Sequence, residues 1–449
     1  MKKFINTIKN IWSIEDLRAR IITTLGLLLV YRLGSYVVLP GVDSSALEAA
    51  NANNASGGLL DLINIFAGGA FSRASIFALG IMPYISASIV IQLLGMAIPY
   101  FQRLQKEGES GRRKINQITR FLTIVITGFQ APGYIASQIT SNPGVVPSAG
   151  PMWWFSTVLL LITGTMFVMW IGERITEKGI GNGISLLIMI GIVANLPSAF
   201  IFEIASRFGI GGVGGPIILL IEVALLLLVI VLSILLVQGT RRIPVQYAKR
   251  IVGNKQYGGV RQYIPLKVNA AGVMPIIFAQ AIMFIPLTLA GFGESSVTSW
   301  FVTTFSNPAG FAYNLTFALM IIAFTYFYTA VTVNPNQMAD DMKRNGGFIP
   351  GIKPGKKTAE FIDNVMSRIT LPGSIFLALV AILPAFAMLG GVNQSFAYFY
   401  GGTSLLIMVG VILDTLQQIE SHLLMRHYDG LMKTGKIKGR SSAGVGMAG

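Results

Sequence analysis

Side chains that do acid–base or metal chemistry are scarce in this 449-residue chain. The only histidines, His422 and His427, stand five apart near the C-terminus, which is not the spacing of a zinc pair. There is no cysteine, so disulfides, thiolate metal sites and a cysteine nucleophile are excluded. Neither G-x-S-x-G nor G-x-x-x-x-G-K-S/T occurs. Gly209–Gly214 fits G-x-G-x-x-G in form, but no strand precedes it, and it reads as a chance match. The sequence offers no catalytic constellation and no cofactor or metal site, and the chain does not read as an enzyme.

The chemistry that remains is electrostatic. Gln238–Lys267 carries seven Lys and Arg (Arg241, Arg242, Lys249, Arg250, Lys255, Arg261, Lys267) and no Asp or Glu. Two extended runs, Ile243–Lys249 and Val260–Val268, are separated by the turn signals Gly253-Asn254 and Gly258-Gly259. That pattern predicts a basic hairpin whose returning limb feeds an apolar helix kinkable at Pro275. A second basic segment, Asn334–Arg368, contains GGFIPGIKPGKK. Pro350, Gly351, Pro354 and Gly355 predict a rigid turn that presents Lys353, Lys356 and Lys357. Positive loops serve topology and attract anionic lipid. Turn chemistry and loop length point beyond that, to a large acidic partner, and ribosomal RNA would satisfy the charge through its phosphates.

The rest of the chain must position these loops in a membrane. It is 53% hydrophobic and 12% charged, with a mean hydropathy of +0.65. About ten apolar runs are long enough to span. They are Ile21–Leu39, Ala74–Ile98, Ile118–Ile139, Trp153–Ile171, Ile184–Ile204, Pro216–Val237, Ala270–Ala290, Phe311–Val333, Ile369–Leu389 and Ala397–Ile419. Of the 34 Lys and Arg, only Arg32, Arg73 and Arg207 fall outside the N-terminal segment, alternate loops and tail. All the basic segments then share one side, the cytoplasmic one, with both termini. The N-terminal stretch reads as an uncleaved amphipathic segment at the interface. The expected organisation is 1–20 as that segment, 21–209 as spans one to five, 210–420 as spans six to ten, and 421–449 as a cytoplasmic tail. Gly209–Pro216 marks the joint between halves.

One stretch breaks the pattern. Between Gly57-Gly58 and Gly68-Gly69 lies Leu59–Ala67, nine residues that reach about 14 Å as a helix, too short to span. Leu59, Leu62, Ile63 and Phe66 share a face, with Asp61 and Asn64 off it. A movable helix that enters the membrane and an interfacial helix packed on the surface both fit. A secondary transporter is the rival to a channel, and it would need ionisable groups at the midplane. Those noted inside spans are few, Arg32, Glu222 and Asp414, with snorkelling or an interhelical hydrogen bond as their ordinary explanation. Ser86, Ser88 and Gln92 add only mild polarity. A poreless assembly scaffold is the third class.

Long runs of the chain resemble the SecY/Sec61-alpha family, the channel-forming subunits of Sec protein translocases. They are GGAFSRASIFALGIMPYISASIVIQLL (Gly68–Leu94), KEGESGRRKINQ (Lys106–Gln117), GTMFVMWIGERITEKGIGNGIS (Gly164–Ser185), RRIPVQYAKR (Arg241–Arg250), PLKVNAAGVMPIIFA (Pro265–Ala279), PGIKPGKKTAEFID (Pro350–Asp363) and YGGTSLLI (Tyr400–Ile407). The resemblance implies an all-α clamshell of ten transmembrane helices in two pseudo-symmetric halves, in the bacterial inner membrane, with a pore and a side gate to lipid. It implies a pore ring of Ile81, Ile85, Ile188, Ile277 and Ile407. It implies a plug formed by Leu59, Leu60, Asp61, Leu62, Ile63, Asn64, Ile65 and Phe66, and a gate lined by Ser86 and Gln92. Arg241, Arg242, Lys249, Arg250, Lys255, Lys353, Lys356 and Lys357 would meet the ribosome or a motor. The implied partners are the small membrane subunits SecE and SecG, the motor ATPase SecA, the ribosome through its RNA phosphates, SecDF, YidC, anionic lipid and the translocating polypeptide. No cofactor is implied. In the PGIKPG turn, Lys353 stands where the family usually has arginine, which keeps the charge and loses the planar fork. The end, Ser441–Gly449, lies beyond the matched runs.

Overall fold

A backbone crossing lipid must satisfy its own N–H and C=O groups, so the apolar runs can close only as helices. The computed structural model describes residues 12, 14–47, 64–142, 144–146, 150–208, 215–247, 250–252, 255–257, 261–290, 305, 307 and 309–433. In chain order the first helices are α1 (Glu15–Gly34), α2 (Met82–Ala97), α3 (Pro99–Lys106), α4 (Glu109–Tyr134), α5 (Pro151–Lys178), α6 (Gly183–Phe208) and α7 (Gly215–Gln238). Strands β1 (Thr240–Tyr247), β2 (Arg250–Val252), β3 (Lys255–Tyr257) and β4 (Arg261–Lys267) follow. The chain continues as α8 (Met274–Ala290), α9 (Phe311–Thr332), α10 (Pro335–Arg344), β5 (Gly347–Phe348), α11 (Lys356–Leu389), α12 (Gln394–Ala397) and α13 (Gly402–Lys433).

Each of the ten expected spans falls on a helix, namely α1, α2, α4 to α9, α11 and α13. Of these, α5, α6, α7, α9, α11 and α13 are long and apolar enough by themselves to cross a membrane. The chain is a multi-pass, mainly helical membrane protein with a small sheet at one end.

The structure corrects two expectations. The second span does not run as a helix from Ala74. Residues 67–81 are turns, and α2 begins only at Met82. Gly68, Gly69 and Gly80 have positive φ there, which a helix cannot use. This stretch satisfies its backbone against residues 37–39 instead: Leu39 N donates to Ala74 O at 2.9 Å and Ile76 N to Val37 O at 2.9 Å. Irregular backbone survives because it is buried in protein. The second correction concerns Pro275, expected to kink its helix, and Pro83 of α2 behaves the same way. Neither kinks a helix; each stands in the first turn of one, α2 and α8, where its missing N–H costs nothing. A bend that does occur lies at Ile98, where α2 and α3 meet at 101°. The third span also closes differently at its end, as a π-helical turn, Ile135–Thr140.

The main core is continuous across helices from both ends of the chain, from Leu28 and Tyr31 of α1 to Ile407 and Val411 of α13. A second core packs residues 39–47 and 67–79 against the end of α4. The third holds the sheet. Strand order is β4-β1-β5, all antiparallel, with β2 and β3 forming a separate ladder at the hairpin tip. Ile243 and Val245 point inward from β1 onto Leu266, Met342, Ile349, Ile362 and Met366, which seats the sheet on α10 and α11. Each such side chain contributes about 1.5–3 kcal/mol on burial.

Candidate pore and basic docking face

Four helices each bring one isoleucine to a shared space: Ile85 from α2, Ile188 from α6, Ile277 from α8 and Ile407 from α13. Phe66, Met82, Ser86, Gln280 and Ala281 complete its wall. About 20 Å³ is accessible to water there, room for roughly one molecule. Ile407 is 2% exposed and Ile188 4%. Branched side chains hold few rotamers, and the four isoleucines offer no hydrogen bond. An ion crossing it would lose its hydration without compensation. Ile81 is buried in the same core but does not line the space. Sequence reasoning found four of the residues that line it and assigned Phe66 and Ser86 to neighbouring roles. Met82, Gln280 and Ala281 were missed; their position one residue or one helical turn from Ile81, Ile85 and Ile277 is the signal that points to them.

Phe66 belongs to the short helical stretch Asn64–Phe66. Leu59, Leu60, Asp61, Leu62 and Ile63 lie outside the described residues. The end of this stretch is held from three sides. Arg32 Nη1 and Arg73 Nη2 both donate to the Gly68 carbonyl, at 3.0 and 2.9 Å. Both guanidinium groups also lie against the ring of Tyr36, 5.6 and 4.2 Å from its centre. From α6, Asn195 Nδ2 donates to Ile65 O at 3.3 Å. Asn64 Oδ1 accepts from Ser72 N at 3.1 Å. Gly191 of α6 lies so close that a Cβ there would meet Phe66 O at 2.4 Å. Arg32 therefore bonds a carbonyl in the turn after Phe66, rather than snorkelling or bonding another helix as the sequence suggested.

The polar residues of α2 bond within that helix. Ser86 Oγ donates to Met82 O, and Gln92 Nε2 to Ser88 Oγ, each at 3.2 Å. Among the described residues no hydrogen bond joins α2 to α8, which meet by packing. Of the other ionisable residues expected in spans, Asp414 is exposed on α13 and Glu222 pairs with Arg207. Neither lines the constriction. Among the described residues no group of His, Asp and Glu could hold a metal ion.

At the sheet end, the two basic segments become one surface. The register Gln246↔Phe348 and Tyr247↔Gly347 adds β5, from the second segment, to the hairpin. Arg241 and Arg242 are exposed on β1, opposite Leu266 and Pro265 of β4. Lys353 is exposed on a turn with Gly351 at φ 86° and Gly355 at φ 100°, and Lys356 and Lys357 are exposed in the first turn of α11 that follows it. Thr358 Oγ1 closes that turn onto Lys353 O at 3.0 Å. The backbones of Arg250 and Lys255 lie in the β2–β3 ladder, and Lys249 lies outside the described residues.

The SecY family profile matches residues 75–416. The chain is 46% identical to the protein translocase subunit SecY of Halalkalibacterium halodurans over 435 residues, covering 95% of this chain and 99% of that one. It is 44% identical to the subunit of the same name from Haemophilus influenzae, over 94% and 96% of the two chains. Among solved structures, it is similar in fold to a SecY whose plug domain stabilises the closed state of the translocation channel and maintains a membrane seal (TM-score 0.58, 17% identity, 95% of both chains). It is likewise similar in fold to the idle yeast Ssh1 complex bound to the 80S ribosome (TM-score 0.60, 15% identity, 96% and 94% covered).

Proposed function

Because the chain belongs to the SecY family, we propose that the four-isoleucine constriction is the seal of a protein-conducting channel. The observation that carries this is the meeting of Ile85, Ile188, Ile277 and Ile407, from four separated helices, beneath Phe66. Such a ring excludes ions while empty and yields around an unfolded chain, because aliphatic packing has no directional bonds to break. Spans one to five would turn against spans six to ten, parting α2 from α8 and opening a path to lipid. An apolar segment of the passing chain leaves by that path because lipid buries its surface. Asn64–Phe66 is the end of a plug that rests on the ring, with Arg32, Arg73 and Asn195 as its moorings.

With no nucleotide-binding motif in the sequence, work comes from a partner or from the proton-motive force. The surface built from β1, β5 and the Lys353–Lys357 turn suits an RNA or acidic protein partner, a ribosome or the SecA motor. SecE and SecG are its small membrane companions, with the sheet end cytoplasmic in a bacterial inner membrane. The test is a photoreactive residue at Ile85, in vesicles holding a secretory chain stalled in transit. A crosslink that needs the stalled chain supports the seal, and its absence in vesicles that translocate normally rejects it.

A further inference from the structure

Arg207, at the end of α6 and 9% exposed, is the hub of a buried ionic cluster away from the constriction. Its Nε donates to Glu203 Oε1 at 2.9 Å, one turn back on α6. Its Nη2 donates to Glu222 Oε1 on α7 and to Gly391 O, at 2.7 Å, in the link before α12. Glu203, fully buried, uses its other oxygen to accept from Asn393 N at 3.0 Å. Thus two side chains of α6 reach α7 and the α11–α12 link, and these three bonds all cross from the first half of the chain to the second. The main packing partners of α7 are α6, α11 and α13 rather than the α2–α8 contact. Two carboxylates share one guanidinium, so without Arg207 the buried acids would face one another uncompensated. Glu222 Oε2 and Tyr400 Oη are buried with no partner, so the cross-links here are the two bonds from Arg207 and the Glu203–Asn393 bond.

We propose that Arg207 is a pin that fixes the line about which the two halves turn, and so directs their parting to the α2–α8 side. The inference rests on the channel reading above. Buried ionic groups specify one arrangement better than they stabilise it, since their bonds demand fixed geometry whereas apolar packing tolerates sliding. With the pin intact, motion that parts α2 from α8 leaves the α6–α7 end in register. Without it, the halves slip there as well, and the isoleucines lose their alignment.

Two spin-label pairs in the assembled translocase test this. One joins Phe202 on α6 to Leu220 on α7, both exposed, and the other joins Val90 on α2 to Leu319 on α9. Arg207→Met, which deletes the bonds to Glu203, Glu222 and Gly391 together, should broaden the Phe202–Leu220 distances and raise the resting ion leak by more than about tenfold, the factor for a single charge-assisted hydrogen bond. Should that variant misfold, Glu222→Gln keeps shape and removes one arm, and the same pair should broaden to a lesser degree. Arg207→Lys, which keeps charge without the fork, should fall between wild type and Arg207→Met. Unchanged Phe202–Leu220 distances in folded Glu222→Gln, or broadening confined to Val90–Leu319, would overturn the pin. Failure of the wild type to translocate in these vesicles would reject the channel reading, while the Phe202–Leu220 distances still decide the pin.

Discussion

Truncating Ile407 to alanine should convert packing energy directly into leak. Ile407 is 2% exposed and lines the constriction. Burying such a side chain contributes about 1.5–3 kcal/mol, and its loss in a tight core often costs more. If the ring parts when the channel opens, that energy belongs to the closed state alone. Taking about 2–3 kcal/mol, the closed-to-open ratio falls roughly 30- to 150-fold at 1.4 kcal/mol per factor of ten. Ion conductance through the assembled translocase in a planar bilayer, with no substrate present, reads this ratio. Leu405 supplies the control. It is 1% exposed, two residues away on α13 and in the same core, yet it does not line the constriction. Leu405→Ala should lower thermal stability as much as Ile407→Ala does and leave resting conductance near that of wild type. Equal leaks from the two variants, or none from Ile407→Ala, would refute the idea that these isoleucines form the seal.

Removing one guanidinium from the Gly68 carbonyl deletes a charge-assisted bond worth about 1.5–3 kcal/mol. Arg32→Gln and Arg73→Gln should each raise the resting leak, and the double variant should exceed the sum because it removes both donors from one acceptor. Gly191→Ala should push residues 66–68 off the ring, seen as reduced crosslinking between positions 66 and 85, whereas Gly128→Ala meets nothing within 4 Å and should leave it intact. Arg241→Ala with Arg242→Ala should weaken ribosome binding and flatten its dependence on log salt by about one unit for each phosphate no longer neutralised. Asp43 is held below the usual aspartate range, first by its bond from the Ser45 hydroxyl and then by the Ala46 and Ser45 amides. A depressed value means stability that is present above the ordinary value of about 3.9 and is lost as pH falls through the lower one. Protection of the Ser45 and Ala46 amides, measured against their intrinsic exchange rates, should therefore fall in acid, and Asp43→Ala should remove it at every pH.

The ten helices were readable because lipid allows apolar runs only one solution, and the hairpin because glycine turns punctuate its extended limbs. Their ends were less readable. Pro83 and Pro275 suggested kinks, since a proline within an apolar run is consistent with either a bend or a start. Only the turns at 67–81, before Pro83, and at 268–273, before Pro275, show which occurred. Strand β5 was invisible, being two residues, Gly347–Phe348, whose pairing depends on β1 arriving beside them. The constriction was visible only through resemblance: isoleucine is common in spans, and nothing in spacing along the chain marks the four whose helices converge. The ionic cluster shows the same limit from the polar side. Glu203 and Arg207 stand four apart, a pairing the sequence displays, yet Glu203 was not counted among the ionisable groups in spans. Its worth depends on Glu222 and the Gly391 and Asn393 backbone arriving from the second half. The seal and the pin are thus the same kind of object. Each is assembled from elements far apart in sequence, and each exists only while the halves are in register. A perturbation of either should therefore be felt at the other, which local defects such as Leu405→Ala should not produce.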